Sequence, residues 1–275
     1  TQYYERGSVP QASIEAVEFT LDEPKSGEAL VQVLAAPINP SDVLTLTGQY
    51  GILPPLPAVG GNEGVGIVVA LGPDTHSPAV GQTVLLPVGC GTWSTHIMAV
   101  AKTLLPLPNE ADPLQLAMMT VNPPTASLML SEFVDLEQGE WVIQNVANSG
   151  VGTYLIQLAK ARGLKTVNVV RRESAIASVL ETGGDVVLVD GPDLAKRVKE
   201  ATDGAKIRLA IDAVGGKSTE HLAMCLTQSG VLVNYGAMSG EPCQISPASF
   251  VFRDITLRGF WLSQWFQNAS PENRM

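Results

Sequence analysis

The spacing of apolar residues changes near residue 120. Before it, short alternating or apolar runs such as ALVQVLAAP (29–37) and GVGIVVALG (64–72) stand between Gly- and Pro-rich stretches, PPLPAVGGNEG and GPDTHSPAVGQ. This spacing predicts short strands joined by turns. After residue 120, apolar strand-like runs alternate with segments whose apolar residues recur at helical spacing. They run WVIQNV, VGTYLIQLAKAR, TVNVV, ESAIASVLETGG, DVVLVD, PDLAKRVKEA, RLAID, KSTEHLAMCL, GVLVNYG and ITLRGFWL. Apolar strands between amphipathic helices imply a parallel sheet covered on both faces. The pattern therefore predicts a mostly β domain over 1–119 and a doubly wound α/β domain of the Rossmann type over 120–275.

The first strand-to-helix junction of the second domain reads Ala147-Asn148-Ser149-Gly150-Val151-Gly152. Small residues there let the backbone turn tightly and approach a pyrophosphate, which the N–H groups and positive end of the following helix attract. Against G-x-G-x-x-G, Ala147 and Ser149 replace the first two glycines and only Gly152 keeps its place. Alone, the loop reads as an ordinary tight turn; its position at the first β-α junction of an alternating run turns the reading toward a dinucleotide. The strand TVNVV ends in Arg171 and Arg172, where NAD-binding folds often carry an acidic residue. Two guanidinium groups suit a 2′-phosphate and so NADPH over NADH, although a solvated pair of charges is the bland alternative and Glu173 could restore part of a ribose contact.

Composition narrows the classes. A formal net charge of −10 disfavours non-specific attraction to nucleic acid or anionic membrane. No run approaches the roughly 18–20 apolar residues of a membrane span. Cys90, Cys225 and Cys243 are too few and scattered for a disulfide framework or zinc ribbon and read as plain thiols. A reducing compartment follows: cytoplasm or, since the chain starts at Thr1 and a transit peptide could have been removed, the mitochondrial matrix. His76, His96 and His221 lie in no metal-ligand spacing and are assigned no chemistry.

The segments AAPINPSDVLTLTGQYGILPPLPAVGGNEGVG, VNPPTASLML, IQNVANSGVG, VNVVRRES and LRGFWLSQW carry a resemblance over nearly the whole chain. In this order they resemble the medium-chain dehydrogenase/reductase superfamily, and within it the zinc-free 2-enoyl thioester reductases. The resemblance implies a GroES-like substrate domain ahead of the Rossmann domain. Zinc-dependent members carry Cys and His in the segments where this chain has Asn39 and Asn62, and amides are poor zinc ligands. Asp42 and Glu63 are then expected to tie loops together through hydrogen bonds.

Without a metal, a hydroxyl must handle the proton and charge of conjugate reduction. The resemblance assigns that role to Tyr50, a short loop beyond Asn39 and Asp42. It assigns cofactor contacts to Asn122, to Asn148, Ser149, Gly150 and Val151, and to Arg171, Arg172 and Glu173. Further contacts fall on Tyr235, Gly236, Ala237 and Met238 after the fifth Rossmann strand, and on Phe260, Trp261 and Leu262 near the nicotinamide. The apolar FWLSQW equally reads as sheet core, and the final strand of this branch also lines a homodimer interface. The family's chain continues beyond this segment, whereas this one stops at Met275, as a fragment or as a protein without that element.

The implied activity is NADPH-dependent reduction of a trans-2-enoyl thioester, carried by coenzyme A or by acyl carrier protein. A quinone reductase of the same superfamily and an inactive NADPH-binding protein are the alternatives.

Overall fold

The computed structural model describes residues 1–270. The chain divides into two compact units, Thr1–Val121 and a second that begins at Asn122.

In the first unit, five antiparallel strands lie in the order His96–Val100, Glu28–Ala35, Val65–Leu71, Thr83–Leu85 and Leu105–Pro106. Alternation in Glu28–Ala35 sends Ala29 and Val31 inward, where they meet Val68, Val84, Leu86, Ile97 and Leu104. A three-stranded sheet joins Ile14–Glu15, Gln2–Tyr3 and Ala58–Val59. Tyr3 and Ala58 of that sheet pack on Leu46, which anchors the helix Pro40–Thr47. Asn39 precedes this helix and Pro40 opens it, a residue whose fixed φ and missing N–H suit a first turn. Gly48 ends it at φ 77°, a left-handed conformation that favours glycine.

The second unit is a six-stranded parallel sheet, ordered in space as Val186–Val189, Lys165–Val170, Trp141–Gln144, Ile207–Asp212, Val231–Asn234 and Thr256–Gly259. By chain order this is 3-2-1-4-5-6, the doubly wound arrangement expected from the alternation of strands and helices. Leu194, Val198, Leu222 and Ala223 cover one face with Val167 and Ile207, and Met129, Leu155 and Ala159 cover the other with Val142 and Leu209. The order reverses between the first and fourth strands, so the crevice beyond their carboxyl ends is the place this topology offers a ligand.

Two details depart from the sequence pattern. The first two strands are not wholly apolar inside: Gln144 donates to Asn168 Oδ1 at 2.8 Å, and Asn168 donates to Thr166 Oγ1 at 2.8 Å, all three buried. Polar strand residues are tolerated there because they satisfy one another. The run FWLSQW is not a sheet strand. The last strand stops at Gly259, opposite Asn234, where its one neighbour among the described residues also ends, and the chain then enters the helix Leu262–Asn268.

Candidate functional site

The loop between the strand Trp141–Gln144 and the helix Gly150–Ala161 is built from the strand end upward. Val146 takes φ 49°, a left-handed turn that a β-branched side chain adopts only under strain, and its carbonyl accepts from Ser149 N–H at 2.9 Å. The tight turn that the first glycine of the fingerprint would supply is thus made one residue earlier. Ser149 caps the helix Gly150–Ala161, its Oγ accepting from Gly152 N–H at 3.1 Å. Gly152 has no substitute: a Cβ there would lie 2.5 Å from the Ala147 carbonyl oxygen. The first turn of this helix presents backbone N–H groups outward, toward whatever anion the crevice receives.

Two of the residues predicted from sequence, Asn122 and Tyr235, reach this loop, and the others lie on neighbouring segments. Asn122, buried at the start of the helix Asn122–Met129, holds its amide nitrogen 2.9 Å from where a Cβ on Gly150 would be. Tyr235 directs its hydroxyl to Ser149, and burial pushes its ionisation far above the ordinary phenol range. Gly236 passes close beneath Ala213, whose carbonyl oxygen would be 2.8 Å from a Cβ. Met238 donates its N–H to the Ala213 carbonyl at 3.0 Å and leaves its side chain exposed, as Ala237 does. Phe260 packs into the same apolar cluster as Tyr235 and stands edge-on to Phe133 at 6.1 Å. Trp261 caps the helix that begins at Leu262, and both are half-buried. Asn148, Arg171, Arg172 and Glu173 are exposed, and neither arginine forms an ion pair among the described residues.

Sequence reading missed the residue that organises this end of the sheet. Asp212, fully buried at the end of the fourth strand, accepts from Asn145 Nδ2 at 2.6 Å, Thr219 Oγ1 at 2.7 Å and Asn234 Nδ2 at 3.2 Å. It also accepts from the N–H groups of Val214 and Gly215, which shape the turn into the helix Gly216–Cys225. Asn145 and Asp212 thereby tie the first and fourth strands where the order reverses. Asn234 passes the constraint on to the carbonyl of Gly236 at 2.9 Å. The only sequence signal was a polar residue ending each of three apolar strands.

In the first unit Tyr50 is half-buried on the loop after the helix Pro40–Thr47, and its N–H donates to the Leu44 carbonyl at 3.1 Å. Arg6, also missed, reaches the carbonyl of Pro54 across that loop. The hydrogen bonds expected of the two carboxylates are present. Asp42 accepts from Asn39 N–H at 2.7 Å, and from Asn62 N–H at 3.1 Å and Nδ2 at 2.7 Å. Glu63 accepts from Asn39 Nδ2 at 2.7 Å, Thr120 N–H at 3.1 Å and Oγ1 at 2.8 Å, and Val121 N–H at 3.0 Å. Among the described residues no three His, Cys, Asp or Glu side chains gather as metal ligands.

The remaining thiols and imidazoles lie elsewhere. Burial pushes the Cys90 thiol up to about 11 and Cys225 up to about 12, so neither is a ready thiolate, while Cys243 is exposed. His221 pairs through Nδ1 with Asp190 at 2.8 Å. The surface depression beside it, of about 590 Å³, is lined by none of the residues predicted from sequence.

Comparisons with known proteins agree with the fold. The family described as alcohol dehydrogenase GroES-like domain matches residues 25–109, and the one described as zinc-binding dehydrogenase matches 150–273. The chain is 40% identical over 269 residues to the mitochondrial enoyl-[acyl-carrier-protein] reductase of Rattus norvegicus, spanning 96% of this chain and 72% of that one. The chain belongs to the enoyl thioester reductase branch of the medium-chain dehydrogenase/reductase family. Among solved structures it is similar to the Etr1p/NADP/crotonyl-CoA complex, with a TM-score of 0.89, 30% identity, and coverage of 97% of this chain and 82% of that one. It is also similar to the quinone oxidoreductase of Escherichia coli complexed with NADPH, at TM-score 0.82, 27% identity, and coverage of 96% and 82%. The protein is thus an oxidoreductase of this family.

The reductase's buried carboxylates generate two predictions. Purified protein should hold no stoichiometric zinc by elemental analysis, and chelators should leave its activity unchanged; one tightly held zinc per chain would overturn the reading of Asn39 and Asn62. Burial raises the carboxyls of Asp42 and Glu63 above their ordinary values, with the surrounding donors opposing it. A carboxyl whose folded value exceeds its unfolded value contributes stability fully below the unfolded value and loses it as pH rises through the folded one. Urea titrations should therefore show the parent's stability relative to Glu63→Gln declining as pH rises through that window. A relative stability that grows with pH there would show that the donors, not burial, govern the carboxyl.

Proposed function

We propose that the reductase uses NADPH to reduce the carbon–carbon double bond of trans-2-enoyl thioesters, with Tyr50 as the catalytic residue. The observation that carries the reading is a hydroxyl held on a clamped loop, in a unit where amides rather than soft metal ligands surround the carboxylates. The name of the rat relative and the crotonyl-CoA bound in the structural neighbour support the substrate class.

The residues of the second unit fit a phosphorylated dinucleotide. Gly152 leaves no side chain between loop and helix, and Ser149 and the helix N-terminus favour a pyrophosphate. Arg171 and Arg172, exposed and without ion-pair partners among the described residues, suit a 2′-phosphate, with Glu173 beside the ribose. Asn122, Tyr235 and Phe260 would flank the rest of the cofactor. NADPH supplies a hydride when bound.

Tyr50 serves the substrate. Conjugate reduction builds negative charge on the thioester oxygen and calls for a proton at the α-carbon. A phenol can donate a hydrogen bond to the first or a proton to the second. Acyl carrier protein or coenzyme A would carry the acyl group, and the mitochondrial relatives support the matrix over the cytoplasm. The edge strand Thr256–Gly259, paired on one side only among the described residues, supports a homodimer formed there.

NADPH should bind more tightly than NADH by more than about tenfold, about 1.4 kcal/mol, measured by fluorescence titration. Replacing both Arg171 and Arg172 should erase the preference, and equal affinities in the parent would refute it. Tyr50→Phe keeps the ring and removes the hydroxyl, so cofactor affinity should hold. Its enoyl-thioester turnover should fall at least about tenfold, the low side of what general acid catalysis contributes. Quinone reduction, whose product solvent can protonate, should be spared. Equal turnover of crotonyl-CoA by variant and parent would sink the catalytic assignment.

A further inference from the structure

We propose that Glu63 is a positioning residue for Tyr50, acting through Asn39 and the helix that carries the tyrosine loop. The inference rests on the catalytic reading of Tyr50 given above. Glu63 lies 24 residues from Asn39 and is 1% exposed, yet its Oε1 accepts from Asn39 Nδ2 at 2.7 Å. Asn39 is the N-cap of the eight-residue helix Pro40–Thr47. At the other end of that helix the N–H groups of Gln49 and Tyr50 both donate to the Leu44 carbonyl, at 2.8 and 3.1 Å. The tyrosine's main chain is therefore fastened to the last turn of a helix whose first turn is fastened to Glu63. Such a helix spans about 12 Å at 1.5 Å per residue and moves as one piece.

The opposite oxygen of Glu63 shows why a carboxylate is needed. Oε2 accepts from Thr120 N–H, Thr120 Oγ1 and Val121 N–H. A glutamine has one oxygen for these four donors, and its amide would face either the Asn39 amide or two backbone N–H groups that cannot turn away. Glu63→Gln therefore opens one side of the junction while leaving volume nearly unchanged. The loop that carries Glu63 cannot easily follow, because Cβ atoms on Gly60 or Gly61 would meet Trp93 at 2.3 and 2.7 Å, and Trp93 Nε1 is held by the Pro37 carbonyl at 3.0 Å. The displacement falls on Asn39 and the helix instead. Misplacing a reacting group by about 1 Å can cost about 10²-fold in rate, so a small tilt at Tyr50 suffices.

The test is a double-mutant cycle of Glu63→Gln with Tyr50→Phe, read as kcat on crotonyl-CoA and KM for NADPH. Glu63→Gln should lower kcat about tenfold in the parent, leave the NADPH KM within about twofold, and cost less than about twofold more once Tyr50→Phe is present. Asn39→Ser keeps an oxygen at the helix cap and removes the amide that reaches Glu63, so it carries the same cycle if Glu63→Gln does not fold. Equal losses in both backgrounds, or no loss in the parent, overturn the positioning role while Tyr50 stays catalytic. If Tyr50→Phe alone costs nothing, the catalytic reading falls first and the positioning role with it.

Discussion

Asp42, Glu63 and Asp212 lie inside the protein with 3%, 1% and 0% of their surface exposed, and each must be met by hydrogen-bond donors. A buried polar group left unmatched costs about 1–3 kcal/mol, and more when charged. That demand draws together segments far apart in sequence. Around Glu63 it gathers Asn39, Thr120 and Val121, and around Asp212 it gathers Asn145, Thr219 and Asn234. In each unit the cluster supports the residues assigned to chemistry without being among them.

The same economy shapes the loop 145–149. A sequence with Ala147 and Ser149 in the places of two fingerprint glycines still makes the tight turn, because Val146 accepts the left-handed backbone and Ser149 caps the helix. The fingerprint's final glycine is different in kind. Its role is the close approach of helix to strand, and with a carbonyl oxygen 2.5 Å from any Cβ no other residue fits at Gly152. Fingerprint positions that set backbone angles can be replaced by strain elsewhere, whereas a position that sets a distance between two backbones cannot.

Period and punctuation were enough to read the six strands and the four helices between the first five, because burial of one face imposes spacing locally, whereas the helix Pro247–Arg253 before the last strand was not read. The end of the last strand was not legible, since Gly259 stops the sheet only through its pairing with Asn234 on a neighbouring strand. Asn122, Ser149, Gly150 and Tyr235 were assigned by resemblance, and the structure brings them together. Arg6, Asn145 and Asp212 were missed because an isolated charge or amide has no periodicity to betray it.

The amino-acid sequence by itself determined the fold class, the tight turn between the first strand and the first helix of the parallel sheet, and the amides at Asn39 and Asn62. Those depend on residue type and on neighbours within a few positions. Only the tertiary structure decided which donors each buried carboxylate meets, with Glu63 reaching 24 residues back and 57 and 58 forward. A hydrogen bond constrains distance in space, and once the chain has folded, separation along it places no bound on that distance.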